Sequence, residues 1–175
     1  MTWRLHLLAC ILLLGLGSHG AGHAQGAPQR IVSGNQCTDR LLAALVDAGR
    51  IAALSRLAGD MLPDLPRIAG SVESILEQSP DLVLLGPEGQ GRKGDILRGF
   101  GVQVLAVDIP ESIAAQRDLT LRLGLALGAG EKAEKLAGLL PQEVQPISEQ
   151  APTALWLAPR LYAFGPASLA GDVLA

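Results

Sequence analysis

Histidine is confined to the first 24 residues of this sequence, at His6, His19 and His23. Those residues have the pattern of a removable export signal, so the mature chain is expected to lack histidine. Without histidine, a chain cannot form a Ser-His-Asp triad or a histidine-ligated metal site. The lack of histidine therefore argues against much ordinary hydrolase chemistry.

Cysteine is almost as scarce, because Cys10 lies in the same signal and leaves only Cys37. A single cysteine cannot form an internal disulfide, even in an oxidising compartment. Cys37 comes just before a predicted helix, where a thiol can be reactive. Because no histidine is available to activate it, we favour a small, half-buried residue at this position.

Positive charge and aromatic side chains are also in short supply. The chain has 14 basic and 17 acidic residues, and loss of Arg4 with the signal makes the mature part still more acidic. Without a basic stripe to neutralise phosphates, nucleic acid is excluded as a partner, and so is an anionic membrane surface. Aromatic residues make up 3% of the sequence, so the core is expected to be aliphatic.

The export signal has the usual three parts. Arg4 gives a positive start, Leu5 to Leu16 form an apolar stretch, and Gly22-His23-Ala24 offers a small-x-small cleavage site. The apolar stretch is shorter than the roughly 20 residues of a membrane span. We therefore predict cleavage after Ala24 and a periplasmic protein. The alternatives are a permanent anchor and a lipoprotein cleaved before Cys10.

The remaining sequence alternates short apolar segments with helical patterns, which is typical of a parallel sheet with crossover helices. Strands are predicted at Ile31–Ser33, Ile51–Ser55, Arg67–Ala69, Leu82–Leu85, Val102–Val107 and Ala154–Leu157. Helices are predicted from Thr38 or Asp39, over Val72–Gln78 with Ser71 as the cap, over Asp95–Phe100, over Glu111–Leu127, and from Glu131. The fold class is therefore α/β.

Polar and small residues follow several of these strands. Gly34 to Cys37 follow the first strand, Ser55-Arg56 end the second, and Gly86-Pro87-Glu88 follow the strand at Leu82–Leu85. The carboxyl edge of an open parallel sheet is where ligands bind, so these residues are predicted to line one wall of a cleft. The alternative interpretation is that each of these segments is an ordinary turn without a role in binding.

A glycine pattern offers a different function. Gly89, Gly91 and Gly94 match G-x-G-x-x-G, and Asp108 ends the next strand. In a dinucleotide site such glycines approach a pyrophosphate and the acid binds a ribose. Pro87-Glu88 separates the strand from the glycines, where the fingerprint requires a tight turn. A rim loop is therefore favoured, and an exported nucleotide-binding enzyme is kept as the alternative.

Three longer segments resemble a known family: RIVSGNQCTDRLLAALVDAGRIAALSRLA, GSVESILEQSPDLVLLGPEG and GFGVQVLAVDIPESI. They are similar to the N-terminal lobe of the class III periplasmic solute-binding proteins, which serve ABC importers of vitamin B12, haem and iron-siderophores. The closing segment, ALWLAPRLYAFGPASLAGDVLA, resembles the opening of the family's second lobe.

The resemblance implies a binding protein for a metal chelate (cobalamin, haem or a ferric siderophore), with an ABC permease in the inner membrane as partner. It implies a protein that is not an enzyme and has no catalytic residues, no metal site of its own and no cofactor. It implies an N-terminal lobe over residues 25–130, an interlobe helix or linker over 131–153, and the start of a truncated second lobe over 154–175. A monomer is expected. A truncated remnant that binds nothing is the further alternative.

The resemblance also assigns residues. It places the permease-docking glutamate at Glu73. It assigns ligand contacts to Gly34, Asn35, Gln36, Cys37, Ser55, Arg56, Pro87, Glu88, Tyr162 and Phe164.

Overall fold

The computed structural model describes residues 26–142, 155–158 and 162–174. The export signal, with its cleavage site after Ala24, lies outside the described residues and stays a prediction. Residues 143–153 of the predicted interlobe segment also lie outside them. Within the described part of the chain, no helix combines the length and the apolar character that a membrane crossing requires.

Five parallel strands form the central sheet, in the spatial order β3-β2-β1-β4-β5. The strands are β1 (Ile31–Ser33), β2 (Ile51–Ser55), β3 (Arg67–Ile68), β4 (Leu82–Leu85) and β5 (Gln103–Ala106). The helices of this part are α1 (Gln36–Leu45), α2 (Val72–Leu76), α3 (Arg92–Gly99), α4 (Ile113–Ala126) and α5 (Gly130–Gly138). Further along the chain, β6 (Leu157–Ala158) pairs antiparallel with β7 (Tyr162–Ala163), and α6 spans Leu169–Leu174. The predicted α/β class is confirmed.

Helices cover both faces of this sheet, which explains why its central strands are apolar on both faces. All four residues of β4 are buried. Leu84 faces a cluster that includes Leu42 of α1 and Leu123 of α4. Leu85 faces the opposite cluster with Ile75 of α2 and Leu97 of α3. Every buried hydrophobic side chain of the described residues is aliphatic, as the scarcity of aromatic residues predicts.

A close helix crossing joins α4 to α5. A Cβ placed on Gly124 would lie 2.1 Å from the Cβ of Ala133, so only glycine permits this approach. Arg50 closes the same end of the lobe, because its guanidinium donates to the carbonyl oxygens of Pro28 and Leu127 at 2.6 Å each. The first contact therefore packs α5 on α4, and the second joins the end of α4 to the residue that precedes β2.

The predicted start of α1 needs correction. Asn35 is the N-cap, not Thr38 or Asp39, because its side chain accepts from the Thr38 amide at 3.0 Å in a capping box. Asp39 is fully buried instead. Its carboxylate accepts from the amide of Ser55 at 2.9 Å and from the hydroxyl of Ser55 at 2.6 Å. Asp39 therefore fixes the end of β2 to α1.

Asp39→Ala is expected to lower the free energy of unfolding by about 2 kcal/mol, because a buried amide and hydroxyl lose their acceptor. Urea denaturation of the purified chain measures this. Asp47→Ala is the matched control, since Asp47 pairs with Lys132 in an exposed ion pair at 2.7 Å. Equal stability losses in the two variants would contradict the role given to Asp39.

Candidate ligand-binding cleft

The candidate site lies where the strand order reverses direction, between the carboxyl ends of β1 and β4. From β1 the chain runs outward to β2 and β3, then returns to the other side of β1 to form β4. Such a switch point leaves a crevice outside the strand ends, and ligands of open α/β sheets bind there. The topology therefore selects the loops after β1, β4 and β5.

Two glycines allow the first two of these loops to meet closely. A Cβ on Gly34 would lie 2.4 Å from Cδ2 of Leu85, and one on Gly86 would lie 2.5 Å from Nδ2 of Asn35. The Gly34 amide donates to the carbonyl of Leu84 at 2.8 Å. Gly34 thus holds the β1–α1 loop against β4.

Hydrogen bonds also make the β1–α1 loop rigid. The hydroxyls of Ser33 and Thr38 are 2.7 Å apart, and the Thr38 hydroxyl donates to the Asn35 carbonyl at 2.9 Å. Because Ser33 and Thr38 are buried, this network positions the exposed residues between them, Gln36 and Cys37, at the mouth of the crevice.

An open cleft of about 970 Å³ extends from this crevice, and its surface is mostly apolar. That volume suits a small-molecule ligand, for which clefts of about 300–1,000 Å³ are usual. The lobe side of the cleft is formed by Asn35, Gln36, Cys37, Thr38, Leu41, Leu57, Pro87, Glu88, Val107, Asp108, Ile109, Pro110, Glu111, Gln116 and Leu119. The other side is formed by Trp156, Phe164, Ala167, Ser168, Leu169, Ala170 and Val173.

The C-terminal segment supplies the aromatic part of the cleft. The rings of Trp156 and Phe164 meet edge to face, with centroids 6.1 Å apart. Asp172 of α6 fastens this segment to the lobe, since its carboxylate accepts from the amide of Ile113 at 2.8 Å. Ile113 begins α4, so its amide would have no partner within that helix.

Six of the ten predicted ligand residues line the cleft: Asn35, Gln36, Cys37, Pro87, Glu88 and Phe164. The structure does not bring the other four to it. Gly34 packs against β4, and the Ser55 hydroxyl is buried in its bond to Asp39. Arg56 and Tyr162 are exposed outside the lining.

The predicted environment of Cys37 was wrong, because its side chain is exposed and free at the cleft, not half-buried. It lies in the first turn of α1, at the mouth of the crevice. Among the described residues, no group of three histidine, cysteine or acidic side chains is arranged to hold a metal ion.

Several lining residues were missed by sequence reasoning. Trp156, Val173 and residues 167–170 lie far along the chain from the switch point, so no local pattern signals their position. Residues 108–111 carried a usable signal, since they directly follow the predicted strand Val102–Val107 and therefore reach the same sheet edge. Leu41 of α1 and Leu119 of α4 also line the cleft, although apolar residues in helices flanking a sheet are usually core positions.

The glycine pattern of the nucleotide alternative has a packing role. Gly89 lies in a 3-10 turn, Pro87–Gln90, and is buried. Helix α3 begins at Arg92, earlier than the predicted Asp95, so Gly94 lies inside the helix. A Cβ on Gly94 would lie 1.9 Å from the carbonyl oxygen of Gly89. Asp108 accepts from the side chain of Gln90 at 2.7 Å.

Glu73 lies away from the cleft lining, in the first turn of α2, and is exposed. Ser71 caps this helix by accepting from the Ser74 amide at 3.2 Å, as predicted. The pKa of Glu73 is lowered, first by a hydrogen bond from its own backbone amide and then by one from the Ser71 side chain. The carboxylate is therefore charged and accessible to a partner at neutral pH.

Comparison with known proteins was made by sequence and by structure. No family model and no curated protein sequence matches this chain. Solved structures do match. A possible iron-binding, periplasmic solute-binding protein of Staphylococcus epidermidis aligns with a TM-score of 0.67 and 18% identity, over 83% of this chain and 64% of that one. The chain has the fold of a periplasmic solute-binding protein.

Two further structures extend this result. A periplasmic haem-binding protein of Pseudomonas aeruginosa aligns with a TM-score of 0.56 and 24% identity over 63% of this chain. A periplasmic vitamin B12-binding protein of Vibrio cholerae aligns with a TM-score of 0.54 and 23% identity over 64%. The chain spans 42% of the Pseudomonas protein and 46% of the Vibrio protein. The predicted resemblance in fold is confirmed, and these similar structures are of binding proteins.

Proposed function

We propose that this chain is the periplasmic binding component of an ABC importer, and that it captures a metal chelate such as cobalamin, haem or a ferric siderophore. The observation that carries the proposal is the mostly apolar cleft of about 970 Å³ at the switch point of the sheet. The similar solved structures support it, because they include proteins that bind haem and vitamin B12.

The cleft is suited to non-covalent capture. Its apolar side chains, such as Leu41, Ile109 and Phe164, provide contact area for a large, partly flat solute. A few polar groups, among them Asn35 and Gln36, provide directional contacts. In this proposal residues 25–130 form the N-terminal lobe, and the segment from 154 onward begins the second lobe. Export after cleavage at Ala24 delivers the protein to the periplasm as a monomer.

Trp156 offers a direct test of solute binding. Trp3 lies in the signal, so cleavage after Ala24 leaves Trp156 as the one tryptophan, and it lines the cleft. Haem, cyanocobalamin and ferrioxamine B absorb light and are expected to quench its fluorescence on binding. Mass spectrometry of the periplasmic protein verifies the N-terminus before titration.

Cys37→Phe is expected to weaken binding of the quenching solute roughly tenfold, a loss of about 1.4 kcal/mol, because the ring would fill part of the cleft. Ala44→Phe is the matched control, since Ala44 is exposed on the same helix but does not line the cleft. If none of the three solutes quenches Trp156, the chain folds without binding them and the proposed function is wrong.

A further inference from the structure

Among the described residues that line the cleft, all charged side chains have the same sign. Glu88, Asp108 and Glu111 line it, and none of the described lining residues is lysine or arginine. Aspartate and glutamate side chains are acidic groups that carry negative charge. The part of the cleft that the structure describes therefore presents negative charge within an otherwise mostly apolar surface.

Their hydrogen bonds leave these charges uncompensated. Glu88 accepts from the backbone amide of Gly86 at 3.2 Å, and Asp108 accepts from the amide group of Gln90 at 2.7 Å. Both donors are neutral. The two ion pairs found among the described residues, Arg98–Asp95 and Lys132–Asp47, lie elsewhere. No described cation thus neutralises the cleft carboxylates.

The arginines that are sequence neighbours of lining residues do not supply a positive charge to the cleft. Arg40 precedes Leu41 and Arg56 precedes Leu57, yet neither arginine lines the cleft. Arg117 follows Gln116, but its guanidinium donates to the carbonyl oxygens of Leu140 and Pro141. An anionic solute would therefore meet like charge in a partly apolar site, where screening by water is reduced.

We infer that the cleft selects metal chelates without net negative charge and disfavours those that carry carboxylates. This inference rests on the proposed function and narrows its solute class. Cationic or uncharged chelates, such as hydroxamate siderophore complexes and corrinoids with amide side chains, fit the site. Haem fits the described part of the site poorly, because its two propionates would face the carboxylates and no described lining residue is basic.

A charge series on one chelate tests the inference. Ferrioxamine B is singly cationic, its N-acetyl derivative is uncharged, and its N-succinyl derivative is singly anionic, while the iron complex stays the same. Titration of the mature protein by Trp156 quenching at low salt should give affinities in that order. The cationic and anionic members should differ roughly tenfold, and added salt should reduce the difference.

Variants locate the effect in the cleft. Glu88→Gln and Glu111→Gln keep an acceptor oxygen but remove the charge. Each variant should bind the cationic chelate about two- to fivefold more weakly and the anionic chelate about two- to fivefold more tightly. This is the range expected for the loss of one exposed ion pair. Glu134→Gln is the matched control, since Glu134 is exposed on α5 and does not line the cleft. It should change neither affinity.

The outcomes separate this inference from the proposed function. Equal or reversed affinities in the ferrioxamine series overturn the inference and leave the proposed function standing. Tight binding of haem without binding of ferrioxamine B or cyanocobalamin also overturns the inference and leaves the proposed function standing. Failure of haem, cyanocobalamin and all three ferrioxamines to bind overturns the proposed function, and the inference falls with it.

Discussion

Gly94→Ala is expected to lower the free energy of unfolding by about 3 kcal/mol or more, because the added methyl group overlaps backbone and not a movable side chain. Its Cβ would lie 1.9 Å from the carbonyl oxygen of Gly89 and 2.9 Å from the carbonyl carbon. To avoid the overlap between the added methyl group and the Gly89 carbonyl group, helix α3 would have to move away from the Pro87–Gln90 turn. Since Leu97 of α3 is fully buried against the sheet, that movement also disturbs the core.

Gly99→Ala is the matched control in the same helix. Nothing lies within 4 Å of a Cβ placed on Gly99, and alanine favours helix, so this variant should be as stable as the original or slightly more stable. Urea denaturation of both variants measures the difference. A Gly94→Ala protein that is fully stable but loses binding of ADP would instead support the nucleotide interpretation of the glycine pattern.

The strands were predictable because their signal is local. β2 and β4 have the predicted bounds, Ile51–Ser55 and Leu82–Leu85, since each is a short apolar run that turn residues follow. Because both faces of these strands are buried, polar and apolar residues do not alternate along them. Each strand therefore appears in the sequence as a nearly continuous apolar segment. From the strands, the loops that meet at the carboxyl edge could be predicted as well.

Features that depend on distant residues could not be predicted in this way. Local rules make Asp39 a helix cap, whereas the structure uses it to satisfy the amide of Ser55, 16 positions away. Local rules also begin α3 after its glycines, because glycine disfavours helix. Contact with Gly89 makes glycine necessary at position 94, and this contact exists only in the folded lobe.

The residues of the cleft also fall into two groups, those with a local signal in the sequence and those whose position depends on distant residues. Its floor, formed by residues after β1, β4 and β5, follows from sheet topology and was largely predictable. No local pattern predicts its aromatic side, which lies in the segment that Asp172 anchors to α4. Phe164 was predicted only through the family resemblance, and Trp156 was missed. The sign of the cleft charge also depends on which acidic and basic residues of the loops turn inward. Adjacent positions in the sequence do not determine this.

Glu73→Ala is expected to abolish most solute uptake by cells while leaving the fold intact. In the proposed function this exposed carboxylate docks on an arginine of the permease. Loss of one partner from a desolvated charge pair weakens association by about thirtyfold or more. The fold should tolerate the change, because Glu73 is exposed and Ser71 still caps α2. Uptake of the bound chelate is measured in cells whose only copy of the gene carries the variant.

Glu77→Ala distinguishes docking from a general effect of charge on this surface. Glu77 is exposed at the opposite end of the same short helix, so the variant removes an equal charge a few residues away. It should leave uptake near the original level, and both variants should keep the original melting temperature and chelate affinity. A loss of uptake equal in the two variants would show that Glu73 is not a specific contact. A fall in melting temperature confined to Glu73→Ala would show that the residue supports the fold and not the permease interface.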